Sequence, residues 1–226
     1  MDETDIDVSE IIRRLETEYP EAACSLEYGK DYELLFSVRL AAQCTDERVN
    51  RVTPALFRRF DSLKSFAEAD VAEVESYIRS CGFFRGKARD IVECSKMLLS
   101  EFGGRVPGTM DELLKLPGVG RKTANLILGD IFSAPSAVVV DTHCIRLANR
   151  IGLTDTRRPE KIESRLREIL PPEKSNTFCH MLVLHGRAVC TARAPRCGEC
   201  VISEMCAFAG RMPENQPETT AAGKAV

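Results

Sequence analysis

Four of the ten cysteines in this 226-residue chain crowd between positions 190 and 206. They are Cys190, Cys197, Cys200 and Cys206, in the pattern C-x6-C-x2-C-x5-C. Thiolates are soft ligands, and four in one short loop suit zinc or an iron–sulfur cluster. Zinc usually takes two separated C-x2-C knuckles, and this loop has only one, Cys197 with Cys200. The spacing leans towards a cluster and leaves zinc open. The other six, Cys24, Cys44, Cys81, Cys94, Cys144 and Cys179, sit mostly among apolar neighbours and read as small buried core residues. A secreted disulfide scaffold is usually far shorter than this chain, so the thiols are expected to be reduced and intracellular. The acidic start MDETDIDVSE has no apolar core and is no signal peptide. No apolar run reaches the roughly 18 residues of a membrane span. Aromatics make up 6% and tryptophan is absent, which argues against a carbohydrate-stacking or aromatic-cage protein.

Outside that loop the pattern is helical almost throughout. Val8, Ile11, Leu15 and Tyr19 recur at helical spacing, with Asp7 as N-cap. A second helix begins near Asp31, and a third covers about 46–60, where Pro54 should kink it or restart it. Asp70 caps a segment that stops at Cys81-Gly82. A long helix through Ala88 and Leu98 ends at Gly103-Gly104. Thr109-x-x-Glu112 is a capping-box signature. Further helices are expected at about 120–132, 143–151, 159–170 and 175–186. Val138-Val139-Val140 has no evident strand partner and reads as a buried extended connector. The residues from Arg211 onwards are expected to form a loose tail.

Two motifs meet at residues 116–141. In Leu116-Pro117-Gly118-Val119-Gly120, proline stops one helix and the two glycines permit a tight turn. The next helix then presents free N–H groups and its positive end, a natural phosphate site, with Arg121 and Lys122 beside it. With Lys122-Thr123-Ala124 this run resembles the helix-hairpin-helix element, which grips a phosphate backbone without reading sequence. In Val140-Asp141-Thr142-His143 an apolar run hands over to a helix, and Asp141 alone reads as its N-cap. The helix from Gly120 to Phe132 is about 20 Å long. Residues 133–140, fully extended, span at most about 26–29 Å. The chain can therefore double back and bring Asp141 to Lys122 at the mouth of the turn.

LPGVGRKTAN, then VDTH, then HGRAVC with the four-cysteine loop, together resemble the bacterial endonuclease III family over roughly residues 8–210. The family consists of bifunctional DNA glycosylase/AP lyases of base excision repair, within the helix-hairpin-helix superfamily. The resemblance implies an all-α, two-domain fold, a six-helix barrel domain beside a helical domain that holds a [4Fe–4S] cluster on Cys190, Cys197, Cys200 and Cys206. The expected division is 1–22, an acidic leader and helix packing on the cluster domain; 23–134, the barrel with the hairpin; 135–210, the cluster domain; and 211–226, a disordered tail. DNA would lie across the cleft between the domains.

The resemblance also assigns roles. Lys122 would attack C1′ of the sugar as the neutral amine, a form that partial burial and nearby Arg121 would favour. Asp141 would assist proton transfer and stabilise charge on the sugar. A Schiff base and β-elimination 3′ to the abasic site would follow. Gly118, Gly120 and Arg121 would hold phosphate. Gln43 would fill the space left by a flipped nucleotide; a helix-end side chain in solvent is the other reading. Phe83 would wedge into the base stack; core packing is the alternative. His143 would lie near the DNA backbone or be satisfied locally. Arg193 and Arg196 would contact phosphate within the cysteine loop. Relatives often carry serine where this chain has Ala41, and lysine where it has Ala194. The substrate is expected to be double-stranded DNA with oxidised pyrimidines or abasic sites, met by a monomer in the bacterial cytoplasm at the nucleoid. A monofunctional glycosylase of the same superfamily usually lacks the lysine and carries a further C-terminal domain. A non-catalytic DNA-holding module would need neither Lys122 nor Asp141.

The net charge of −3 looks wrong for a DNA binder until it is divided. Residues 1–10 hold Asp2, Glu3, Asp5, Asp7 and Glu10 and no lysine or arginine, which leaves the remainder at +2. Residues 83–105 and 117–150 are each locally basic by two charges. Phosphate contacts should be few, and affinity modest and salt-sensitive.

Overall fold

Apolar residues at helical spacing set where each element begins and which face it buries. The computed structural model describes residues 6–211. Most of the acidic leader and the tail expected to be loose lie outside the described residues. Eleven α-helices follow in order: α1 Val8–Glu18, α2 Asp31–Ala41, α3 Asp46–Arg59, α4 Leu63–Ala67, α5 Val71–Ile78, α6 Phe84–Glu101, α7 Met110–Leu113, α8 Arg121–Asp130, α9 Thr142–Ile151, α10 Pro159–Ile169 and α11 Ser175–Ala188. The described residues contain no strand.

Local chemistry explains most starts. Asp7 caps α1 by accepting the Glu10 N–H at 3.0 Å. Thr45 and Asp70 cap α3 and α5 in the same way. Thr109 accepts the Glu112 N–H as N-cap of α7, but the capping box is only half formed. The Glu112 carboxylate takes the Thr109 hydroxyl at 2.6 Å instead of reaching back to the backbone.

Two expectations are corrected. Pro54 does not restart the helix: α3 runs through it, and buried Val49, Thr53 and Leu56 pack the helix on both sides of the proline. The sequence pattern also misses α4, which is too short for periodicity to register. Ser62 and Ser65 cap each other reciprocally there, and Phe66 is buried against Phe36, Phe57, Phe60 and Tyr32.

The helices pack in two groups. α4 and α5 lie on α6, α2 lies on α3, α6 and α8, and α7 lies on α8. α1 and α9 lie on α11, and α10 lies on α9. Contact between α8 and α11 joins the groups, so the first helix belongs with the C-terminal half. Val138, Val139 and Val140 are buried and unpaired, and lead straight to Asp141.

Candidate active site and nucleic-acid interface

The hairpin between α7 and α8 is anchored by buried Leu113 and Leu116. Gly118 is required twice over. Its φ is +74°, and a Cβ there would stand 2.6 Å from Arg39 Nε and 2.7 Å from Asp90 Oδ2. Arg39 and Asp90, from α2 and α6, are ion-paired at 2.6 Å directly beneath the turn. Gly120 is different. Its φ of −104° suits any residue, and a Cβ would meet nothing within 4 Å. The protein itself does not need glycine there, and α8 starts without a side-chain cap. Its first N–H groups are therefore available to an anion. Gly120→Asp should leave the melting temperature unchanged or slightly raised, since aspartate caps a little better than glycine. It should weaken binding to duplex DNA roughly tenfold at low salt, by filling the anion site with a carboxylate. Equal losses with Gly120→Ala would refute the electrostatic account.

A cleft of about 770 Å³ opens beside the hairpin, and Gln43, Lys122, Asp141 and His143 all line it. α8 places Lys122 in its first turn, and the buried valine connector delivers Asp141 as N-cap of α9. Asp141 Oδ1 accepts the Cys144 N–H at 2.8 Å. The capping role and the place in the cleft thus coexist, because one carboxylate has two oxygens. Lys122 is exposed. Arg121 points elsewhere: its guanidinium donates to both oxygens of Glu163, at 2.7 and 2.8 Å. Glu163 is only 4% exposed and also pairs with Arg167, and a buried carboxylate holds such partners firmly. The partial burial of Lys122 expected from the sequence is absent, and the charge of nearby Arg121 is paired with Glu163.

The cleft contains a feature that local sequence does not reveal. Asp46 accepts from Ser25 at 2.6 Å and from Arg187 at 2.7 Å. Burial works to raise the Asp46 carboxyl, but these hydrogen bonds and the charges of Arg187 and Lys122 outweigh it and hold it below its usual range. Asp46 reads locally as a helix start, and its partner lies 141 positions away. Cys24 and Cys44, expected in the core, are half-buried and line this same cleft. Cys81, Cys94, Cys144 and Cys179 are buried as expected. His143 is half-buried with Nδ1 3.1 Å from Arg146. Burial pulls its pKa down, Asp141 pulls it up, and Arg146 and Arg187 push it down again.

Gln43 also borders a second depression, of about 650 Å³, whose wall includes Phe83 and Arg85. Gln43 and Phe83 both have left-handed backbone, with φ of 54° and 45°. Phe83 is 73% exposed, so core packing is excluded. A large apolar side chain held outward on strained backbone is a feature of functional sites.

In the cysteine loop, α9 supplies the organiser. Arg150 donates to Cys190 Sγ at 3.2 Å, to Thr191 O at 2.7 Å and to Ala192 O at 3.0 Å, and lies over the Phe208 ring. Cys206 Sγ donates to Arg150 O, and His185 Nε2 lies 3.3 Å from Cys200 Sγ. All four thiols are half-buried. Burial first, and then their mutual proximity, raises the pKa of Cys197, and that of Cys200 to about 11. Four neighbouring thiols are the donor set that a strongly bonding metal group deprotonates. Arg196 is exposed and donates to Ala188 O and Glu199. Arg193 is exposed.

Residues 36–172 match the HhH-GPD superfamily of base excision DNA repair proteins, and residues 190–206 match the iron–sulfur binding domain of endonuclease III. The chain is 47% identical to endonuclease III of Synechocystis sp. over 198 residues, covering 88% of this chain and 90% of that protein. It is 38% identical to endonuclease III of Escherichia coli K12 over 199 residues, covering 88% and 94%. Among solved structures, a trapped endonuclease III–DNA covalent intermediate superposes with a TM-score of 0.85 at 36% identity, covering 90% of this chain and 95% of that one. A thermostable thymine-DNA glycosylase shares the fold, with a TM-score of 0.79 at 20% identity. The chain belongs to the endonuclease III family of base-excision-repair DNA glycosylases and AP lyases, with an iron–sulfur cluster domain.

Proposed function

We propose that the chain binds damaged duplex DNA across the Lys122–Asp141 cleft, removes an oxidised pyrimidine and then cuts the strand 3′ to the resulting abasic site. The observation that carries this reading is one cleft holding an exposed amine and a carboxylate with a spare oxygen, beside an uncapped helix start. Support comes from a relative trapped as a covalent intermediate with DNA. A base inside a duplex is out of reach, so it must be flipped out, most cheaply where pairing or stacking is already weak. The Lys122 amine forms a bond to C1′ as the bond from C1′ to the base breaks. Asp141 takes up the proton and stabilises positive charge on the sugar. The C1′–O4′ bond then opens, the ring oxygen taking a proton, and leaves an iminium at C1′ that acidifies the C2′ proton; loss of that proton expels the 3′ oxygen and cleaves the strand. Lys122 is open in the free protein, so bound DNA itself must exclude water from the amine.

The helix start at Gly120 would hold phosphate, with Gly118 shaping the turn. Phe83 and Gln43 would occupy the opened stack, and His143 and Arg193 would lie along the backbone. Arg121 and Arg196 serve instead through Glu163 and the cysteine loop. Cys190, Cys197, Cys200 and Cys206 would hold a [4Fe–4S] cluster, which supplies a rigid covalent anchor for the loop. The chain would act as a monomer on chromosomal DNA.

The test is strand nicking. Protein incubated with a duplex bearing one abasic site should yield a 3′ unsaturated aldehyde end, and borohydride should trap a protein–DNA adduct. Binding without nicking would leave the DNA-holding module; on a duplex bearing an oxidised pyrimidine, base release without trapping would leave the monofunctional glycosylase.

A further inference from the structure

Lys87 is 1% exposed and belongs to no step above. Among the described residues it joins no ion pair, an unusual condition for a buried lysine. Its Nζ donates instead to two backbone carbonyls, Leu40 O at 2.8 Å and Cys81 O at 2.5 Å. Leu40 lies in the last turn of α2, where carbonyls lack helical partners and the helix end is negative. Cys81 ends the single 3-10 turn Arg79–Cys81. Shortly after each carbonyl comes a left-handed residue, Gln43 after Leu40 and Phe83 after Cys81. Those two residues and Lys87 all line one depression. Strained backbone of this kind persists only where its surroundings over-determine it, and a buried double hydrogen bond at the root of both segments does so.

We propose that Lys87 is a positioning residue for base extrusion: by tying the end of α2 to the turn before α6, it holds Gln43 and Phe83 as one rigid pair of DNA-probing side chains. This inference rests on the reading that duplex DNA is opened at this cleft. Burial lowers the pKa of the amine from its ordinary range. A neutral amine still has two N–H groups for the two carbonyls, so the tie survives in either form.

The test separates opening from chemistry. Lys87→Met keeps the length and removes the donors. Stack opening is read from 2-aminopurine fluorescence beside a lesion in duplex DNA, and chemistry from borohydride trapping on a single-stranded abasic oligonucleotide, where nothing must be opened. Lys87→Met should reduce the duplex opening rate about tenfold and leave single-strand trapping within about twofold of the parent. In a Phe83→Ala background the same substitution should have a much smaller effect on opening, because the probe is already gone. Parallel loss of both readouts would mean a merely structural lysine and overturn the proposal, as would an unchanged opening rate. If Lys87→Met does not fold, Lys87→Gln, which retains a donor, is put to the same split. Absence of trapping by the parent protein would instead sink the functional reading itself.

Discussion

Lys122→Ala should abolish the borohydride-trapped adduct and the strand cut, a loss on the order of 10³-fold or more, because nothing else in the cleft supplies a primary amine. The fold should not notice. Lys122 is exposed and sits in the first turn of α8, and alanine is at least as good a helix former there. The melting temperature should stay within about 2 °C. DNA affinity should fall no more than about threefold, since one phosphate-range charge is removed. Lys122→Arg should not rescue the adduct, because a guanidinium is not deprotonated in proteins. Normal trapping in Lys122→Ala would move the nucleophile elsewhere. A collapse of affinity would mean that the lysine holds DNA and does not attack it.

The second large effect concerns the cysteine loop. Cys200→Ser should remove the visible absorbance of the brown protein and unfold the segment around 190–206. The physical reason is the lack of a local core. Beyond α11 the loop has only short 3-10 turns, and Ile202 is its single fully buried large apolar residue. Such a segment depends on its ligand group, so binding and folding are coupled. The neighbouring ties would go too: Arg150 to Cys190 and Thr191, and Arg14 of α1 to Val201 O. The loss should be several kcal/mol, roughly 10 °C in melting temperature for a chain of this size. Hydrogen exchange should show full exposure beyond Val189, and duplex affinity should drop about tenfold as Arg193 loses its place. A colourless variant with unchanged exchange and affinity would refute the anchoring role, and a colourless parent would reopen zinc.

The helices were legible because each stands on local rules: apolar spacing, a capping Asp or Thr, a terminating Gly. The exceptions have causes of the same kind. α4 has only five residues, too few for a helical pattern to repeat, and α3 continues past Pro54 with Val49 and Leu56 packed on either side. The candidate site was legible in part, since the hairpin, Lys122, Asp141 and the four cysteines each carry a local signature. Chain reach alone was enough to bring Lys122 and Asp141 to one place.

Direction and partnership were not legible. Arg121 and Lys122 are neighbours in sequence, yet one turns to Glu163 and the other to the cleft. Asp46 reads as a helix start until Arg187 meets it, and nothing in the local sequence marks Lys87 as buried. The opening feature shows the same division. Four cysteines in C-x6-C-x2-C-x5-C determine by themselves that this loop gathers around a soft-ligand group, because spacing along a short loop limits how far the thiols can separate. Only tertiary structure decided that Arg150 and Arg14, from two distant helices, join His185 of the preceding helix in framing that loop. Only tertiary structure, too, turned Gln43 and Phe83 outward as a pair. Helix formation and ligand spacing are short-range, whereas side-chain direction is set by burial and by partners that sequence places from about forty to more than a hundred positions away.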